Sequence, residues 1–409
     1  MWTIIQKQQQ LIDNLKTELE KTQKLITRTQ SIVDDNREKV EATADVVEQV
    51  TSNDLPAARR QRTTIGGYGE LHYNNLDDDK ATIGGDDSTE RTDFHRFVLY
   101  FGHEFSDQLR FFSELELEHA FIADTGGSTA GEVELEQAWV ELDINDQHHF
   151  RAGLDILPIG IINPTHEPNT FYGVERNHVE TEIIPATWWE AGMGSNGELA
   201  PGWNYDAVIH SGLVVPTSGS SAFRPRSGRL KVAEADDQDL AFTGRLRFTG
   251  IPGLELGISG QYQADITGTA DAFNIGATLF EGHIDWKHAT GIGLRALYAR
   301  WDIGSDKGLD PGALNADNLE GWYVEPAYRF KLPGPLPGEL GVFTRYSQWD
   351  ERNQISGVHR FEEFEQFTVG FNWWPHSHVA FKFDAQFENA NAPVDKVLDG
   401  INLGVGYQF

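Results

Sequence analysis

The densest collection of reactive side chains lies in one Pro-rich stretch, residues 158–185, PIGIINPTHEPNTFYGVERNHVETEIIP. It carries His166, Glu167, Tyr172, Glu175, Arg176, His178, Glu180 and Glu182. Acids and bases held on opposite sides of a narrow gap create a transverse field that orders water and dipolar solutes. Salt bridges that only pin the segment are the competing reading, and the sequence leaves the two open for each residue. A second set, Arg96, Arg110, Arg151, Arg245, Arg247 and Arg329, falls on alternate positions of strand-like runs and could form a basic ladder. Glu114, Glu116, Glu134 and Glu325 occupy comparable positions as its acidic counterpart. Runs such as Asp77-Asp78-Asp79, Asp86-Asp87 and Asp236-Asp237 read as solvated loops. A divalent cation could bridge some of them through hard carboxylate oxygens, although no stretch has the spacing of an EF-hand or repeat-type Ca loop. His148-His149 and the pair His376 and His378 fall at predicted turns, where solvated histidines are the simpler reading, so no metal site is assigned and no cofactor is expected. There is no G-x-S-x-G, no H-E-x-x-H and no P-loop. With no Cys, thiolate metal sites, disulfide scaffolds and Cys nucleophiles are excluded.

The elements that would carry these residues follow from composition and period. The chain has 409 residues, with 33 Lys+Arg against 63 Asp+Glu and a formal net charge of −30. A nucleic-acid partner is therefore not expected, because phosphate binding needs a basic face. Mean hydropathy is −0.44, and no apolar run of about 18 residues exists, which excludes a transmembrane helix. A transmembrane barrel is not excluded, since its alternating strands average out as polar. The 41 Gly, 24 Phe, 11 Trp and 11 Tyr point to β structure. Met1-Trp2-Thr3-Ile4-Ile5 has no apolar leader region, so export would require a leader beyond this sequence.

Residues 1–50 contain no Gly and no Pro. Their heptad a positions are Ile5, Ile12, Leu19, Ile26, Val33, Val40 and Val47, all apolar, whereas the d positions Gln8, Leu15, Thr22, Thr29, Asn36, Thr43 and Val50 are more polar. Ile4, Leu11, Leu25, Ile32 and Val46 widen the seam at g. Such a seam reads as a coiled coil, and its β-branched breadth favours three strands; an amphipathic helix packed on its own domain is the alternative. Fifty helical residues would span roughly 75 Å. Residues 51–64, with Pro56 and the basic Arg59, Arg60 and Arg62, read as a linker. The acidity belongs almost wholly to residues 61–409, because residues 1–60 hold nine basic and ten acidic residues.

From Ile65 the period switches to two. Phe97, Leu99, Phe101 and Phe105 alternate with Arg96, Tyr100 and Glu104, and Phe381, Phe383 and Phe387 with Lys382, Asp384 and Glu388. A soluble sandwich alternates as well, so loop lengths decide. About sixteen strand-like segments are read near 65–75, 92–105, 108–122, 131–145, 147–157, 186–194, 202–213, 240–250, 253–265, 274–288, 291–303, 319–331, 338–349, 362–373, 377–389 and 399–409. Short connections such as Ser106-Asp107 and Ala289-Thr290 alternate with long ones at 76–91, 158–185, 214–239, 304–318 and 350–361. That alternation predicts an all-β transmembrane barrel of 16 antiparallel strands over 65–409, with short turns and both chain ends on the periplasmic side. Trp188-Trp189, Trp373-Trp374 and Tyr407 are expected in an interfacial girdle, with sugar stacking on Trp188, Trp189, Tyr172 or Phe171 a minor option. The last strand ends on Phe409, two residues after Tyr407. This ending resembles the signal that outer-membrane barrels present to their insertion machinery.

Several stretches resemble the phosphate-selective porin O and P family. Ile65-Gly66-Gly67-Tyr68-Gly69-Glu70 has its opening pattern, and Phe94-His95-Arg96-Phe97-Val98-Leu99 looks like its second strand. The most specific match is Phe150 to Gly160, FRAGLDILPIG, similar to the family's Gly-Gln-x-x-x-Pro-x-Gly segment. The resemblance implies a sixteen-stranded trimeric porin of the Gram-negative outer membrane, in contact with lipid and lipopolysaccharide. A subgroup typified by the dicarboxylate-linked channel of Acinetobacter also carries an N-terminal helical extension. The family's anion-selective members line the pore with Lys and Arg, whereas this barrel is acidic and has Leu154 in place of Gln, so phosphate selectivity is not carried over.

In porins of this size the long loop after the matched strand folds inward, which makes the eight residues of 158–185 the expected pore constriction. Arg96, Arg110, Glu114, Glu116, Arg151, Arg245, Arg247 and Arg329 are the expected pore wall. The expected function is passive diffusion of small hydrophilic or charged solutes, with a periplasmic N-terminal coiled coil joining a homotrimer. A structural anchor for a periplasmic stalk is the alternative. An outer-membrane enzyme with a Ser–His pair is a third reading to which no residue points.

Overall fold

Strict alternation leaves each strand one apolar and one polar face, and a sheet closed on itself sorts the two to opposite sides without leaving an unpaired edge. The computed structural model describes residues 62–78, 87–120, 131–233, 235, 239–268, 274–355, 358–391, 394 and 396–409. Sixteen strands follow one another: β1 Arg62–Asp77, β2 Thr89–Glu104, β3 Leu109–Glu118, β4 Val133–Asn145, β5 His148–Ile156, β6 Trp189–Ala200, β7 Trp203–His210 and β8 Ala241–Ile251. The second half comprises β9 Leu254–Gln263, β10 Ala277–Lys287, β11 Ile292–Ile303, β12 Asn318–Lys331, β13 Glu339–Ile355, β14 Val358–His376, β15 Val379–Ala390 and β16 Asp399–Gln408. Every strand pairs antiparallel with its sequence neighbours, and β1 pairs with β16 from Tyr68↔Gln408 to Asp77↔Asp399. Phe409 completes the seam, its N–H donating to Gly67 O at 2.9 Å and its carbonyl accepting from Gly67 N at 3.0 Å.

The sorting is the inverse of a soluble protein. On β14, Phe371 is 40% exposed on the outside while its neighbour Asn372 is 0% exposed on the inside. Gln366, Thr368, Lys382, Asp384 and Asn402 are likewise buried inside, and Phe367, Val369, Phe381, Phe387 and Leu403 are exposed outside. An apolar exterior around a polar interior suits lipid, and it settles the choice that alternation alone left open.

Connections at one end are short. Two are Pro-Gly pairs, Pro201-Gly202 and Pro252-Gly253, where Pro presets its own φ and Gly takes φ +80° and +79°. A Cβ at Gly253 would sit 2.2 Å from Lys287 O, so glycine is required there.

Three expectations are corrected. The 350–361 loop does not exist as such: β13 and β14 pair up to Ile355↔Val358 and form a tall hairpin. Hydrophobic alternation reports contact with lipid, whereas the backbone ladder continues beyond it through polar pairs such as Asp350↔Glu363. β1 begins at Arg62, inside the stretch read as linker. Trp188, Trp189 and Trp374 are buried rather than girdle residues, because their strand ends meet the segment between β5 and β6 inside the ring. The coiled-coil residues Ile5 to Val47 lie outside the described residues, as do Asp79, Asp86, Asp236 and Asp237.

Candidate functional site

The β5–β6 connection leaves the wall at Leu157, whose N–H donates to Trp188 O at 3.0 Å, and Pro158 then has no N–H to continue the ladder. Asn163 ties the base together, its Nδ2 donating to Leu157 O at 2.8 Å and its Oδ1 accepting from Trp188 N at 2.7 Å. Glu180 folds the return limb onto the outgoing one. Its Oε2 accepts from Ile161 N at 2.9 Å and Ile162 N at 2.5 Å, and its Oε1 from the Tyr323 hydroxyl at 2.7 Å. Burial pushes the Glu180 carboxyl up. Gly160, at φ +74°, allows this approach, since a Cβ there would stand 2.8 Å from Glu180 Oε2. A five-residue π-helical turn, Val179–Ile183, follows. Ile159, Val179, Ile183, Ile184 and Trp188 pack with Leu297, Trp301, Leu319, Tyr323, Trp349 and Phe364, an apolar patch on the inner faces of β11–β14. Trp301 Nε1 donates to Ile183 O at 2.8 Å.

The outgoing limb meets other strands. Arg96 Nη2 on β2 donates to His166 O at 2.8 Å, Arg295 Nη2 on β11 to Thr170 O at 2.9 Å, and Asn372 Nδ2 on β14 to Phe171 O at 2.9 Å. Asp384 on β15 accepts from Val174 N at 2.7 Å. Glu175 Oε1 lies 3.0 Å from His72 Nδ1 and 3.1 Å from Asn74 Nδ2 on β1. Burial raises the Glu175 carboxyl, but attraction to His72 outweighs it and holds the group at about 2. Irregular backbone away from bulk water needs partners for its polar groups, and the polar inner wall supplies them.

Of the eight segment residues singled out from sequence, Glu175, Arg176, His178 and Glu182 line a cavity of about 440 Å³ together with Glu116 and Arg229. His178 stacks on Trp349 at 4.5 Å, and Arg176 Nη1 donates to Thr187 Oγ1 at 2.7 Å. Tyr172 lines a second cavity of about 540 Å³ and stacks on Phe343 at 5.2 Å. His166 and Glu180 are buried, and Glu167 accepts from Thr170 through its backbone carbonyl. The wall arginines all lie on inward positions and all have acidic partners. Arg96 Nε is 2.5 Å from Glu70, and Arg110 forks onto Glu141 and Asp143. Arg151 pairs with Glu141 and Asp155, Arg245 with Asp206, Arg247 with Glu255 and Arg329 with Glu339. Glu114 Oε2 accepts from Gln137, and Glu116 lies 3.7 Å from Arg96 Nη1. Asp78, read as solvated, instead accepts from Val397 N at 2.6 Å and ties two loops together.

A family model described as phosphate-selective porin O and P matches residues 65–389. The chain belongs to that family. An uncharacterized protein of Aquifex aeolicus (strain VF5) is 33% identical over 344 residues, covering 80% of this chain and 75% of that one. The anion-selective porin from Comamonas acidovorans superimposes with a TM-score of 0.56 at 12% identity, over 86% of this chain and 100% of that chain. The outer membrane channel DcaP of Acinetobacter baumannii does so at 0.53 and 11% identity, over 87% and 99%. At those identities the structural likeness speaks to the barrel fold. Membership of the porin family places this chain among outer-membrane channel barrels.

Within this porin-family barrel, the β7–β8 connection contributes a group that sequence reading missed. Arg226 Nη1 donates to Thr181 O at 2.9 Å and Ala186 O at 2.8 Å, Arg229 to the carbonyls of Pro185 and Thr187, and Arg224 pairs with Glu182 at 2.5 Å. The signal was present in FRPRSGRL, a basic run in an acidic chain.

Proposed function

We propose that this protein is a passive outer-membrane channel in which segment 157–188 narrows the barrel, and that small hydrophilic or charged solutes cross beside it. The observation that carries this reading is the segment's set of hydrogen bonds to β1, β2, β11, β14 and β15, strands in the half of the ring across from its root between β5 and β6, beside a cavity whose lining mixes Glu and Arg. Acid and base on one narrow passage give the transverse field anticipated from sequence. The eight segment residues act as constriction or as its supports, and the paired arginines stabilise the wall without creating a free basic ladder. Residues 1–50 join a homotrimer on the periplasmic side, lipid and lipopolysaccharide surround the outer face, and Phe409 engages the insertion machinery.

Planar-bilayer recording tests this. Stepwise conductance in groups of three is expected, and a reversal potential in a salt gradient assigns charge preference. Arg176→Gln should shift that potential toward cations, by less as ionic strength rises. Absence of conductance from inserted, folded trimers would overturn the channel and favour a barrel that only anchors a periplasmic stalk.

A further inference from the structure

Glu114 on the wall, Glu136 at the edge of the 440 Å³ cavity and His166 of the segment meet as one group, and each is buried. Glu136 owes its position to a bulge: Glu114 pairs with Gln137 and Leu115 with Leu135, so Glu136 is the extra residue of β4. A bulge re-aims a side chain; here Leu135 stays outside while Glu136 turns inward, at 2% exposure. His166 Nδ1 lies 3.0 Å from Asn163 O. That carbonyl can only accept, so Nδ1 carries a proton and donates, and Nε2 is turned toward the two carboxylates. Nε2 stands 3.4 Å from Glu114 Oε1 and 3.6 Å from Glu136 Oε2. Both separations exceed ordinary hydrogen-bond lengths. They match the edges of a coordination polyhedron, because ligands about 2.0–2.1 Å from a tetrahedral metal stand roughly 3.3–3.4 Å apart.

Two further observations point the same way. Glu136 Oε2, the atom facing Nε2, has no hydrogen-bond partner, and a buried carboxylate oxygen is costly to leave so. Among the described residues no Lys or Arg lies within 4.0 Å of the Glu114 or Glu136 carboxylate; the Arg96 guanidinium is engaged by Glu70 and Glu116. The outer partners are in place as well. Gln137 Nε2 donates to Glu114 Oε2 at 2.5 Å, Trp139 Nε1 donates to Gln137 Oε1 at 3.1 Å, and Asn163 is fixed by Leu157 and Trp188. Metal ligands are oriented by such contacts. We propose that Glu114, Glu136 and His166 bind one divalent transition-metal ion of the Zn2+ class, fastening segment 157–188 to β3 and β4. Two carboxylates and one imidazole supply two negative charges for a dication and leave a position for water. The similar trio Glu141, Asp143 and His149 is not equivalent, because Arg110 and Arg151 already neutralise its carboxylates.

The test uses full-length protein in detergent, stripped with chelator, dialysed against Zn2+ and assayed for bound metal. About one equivalent per chain is expected for the wild type and for His149→Gln, and background for Glu136→Gln and Glu114→Gln. Heat-modifiable gel migration verifies that each variant retains the barrel. Co2+ loading of the wild type should give the intense visible bands of a four-coordinate site, a readout that needs no variant. Wild type without stoichiometric metal, or binding untouched by Glu136→Gln but lost in His149→Gln, overturns the site. None of these readouts depends on conductance, so a failed channel assay and a failed metal assay remain distinct.

Discussion

Glu180 holds the two limbs of the segment to each other and to the wall. One carboxylate satisfies two backbone N–H groups of the outgoing limb and the Tyr323 hydroxyl of the wall, all buried. In Glu180→Ala these three donors lose their acceptor, at about 1–3 kcal/mol apiece. The outcome expected is a segment that opens locally while the barrel stays folded. Protease cleavage within residues 158–185 should accelerate at least about tenfold, since every 1.4 kcal/mol is a factor of ten. Glu180→Gln should remain near wild type, because its carbonyl can accept from Ile161 and Ile162 while its amide donates to the Tyr323 oxygen. Equal cleavage of Ala and Gln variants would mean that these bonds do not hold the segment. The sequence singled out Glu180 as a charge near a passage; its role as an internal acceptor depends on the approach of Gly160 and Tyr323, and neither lies nearby in sequence.

At the scale of elements, all sixteen strands were readable, because lipid on one side and polar groups on the other impose a period of two over the width of the membrane. What was illegible follows from the same cause. The tops of β13 and β14 rise above the apolar band and lose the alternation while keeping the ladder. The inner faces of β11–β14 carry Leu297, Trp301, Leu319 and Tyr323, apolar where a water-filled lumen predicts polar, because a loop and not water covers them. The grip of the β7–β8 connection on the β5–β6 segment joins residues 40 to 45 positions apart through backbone carbonyls, which no side-chain pattern records. The double variant Arg226→Ala/Arg229→Ala tests that grip. It removes charge-assisted bonds to the carbonyls of Thr181, Pro185, Ala186 and Thr187, at about 1.5–3 kcal/mol each. Open-channel current noise should rise, and mean conductance should increase as the return limb of the segment loosens. Unchanged noise would leave the apolar contact with Trp301 as the main restraint.

At the scale of the molecule, two different solvents shape the chain. Lipid selects the apolar outside of the ring, and nothing in that ring calls for the heptad seam of residues 1–50, whose a positions run from Ile5 to Val47 without a polar residue. Such a seam needs an apolar partner along its length, and copies of itself would supply one. If it joins three chains, it ties the barrels together by a contact that is independent of the membrane, and the local concentration of the barrels rises accordingly. Deleting residues 1–50 should then leave insertion and single-barrel folding intact, because the β1–β16 ladder closes without that segment. The trimer should lose heat resistance: on semi-native gels the truncated protein should dissociate to monomers at a lower temperature than the full chain, with both forms unfolding their barrels at the same temperature. Identical dissociation temperatures would assign the seam to a partner other than the chain itself, and failure of the truncated chain to insert would mean that the seam acts before the ring has closed.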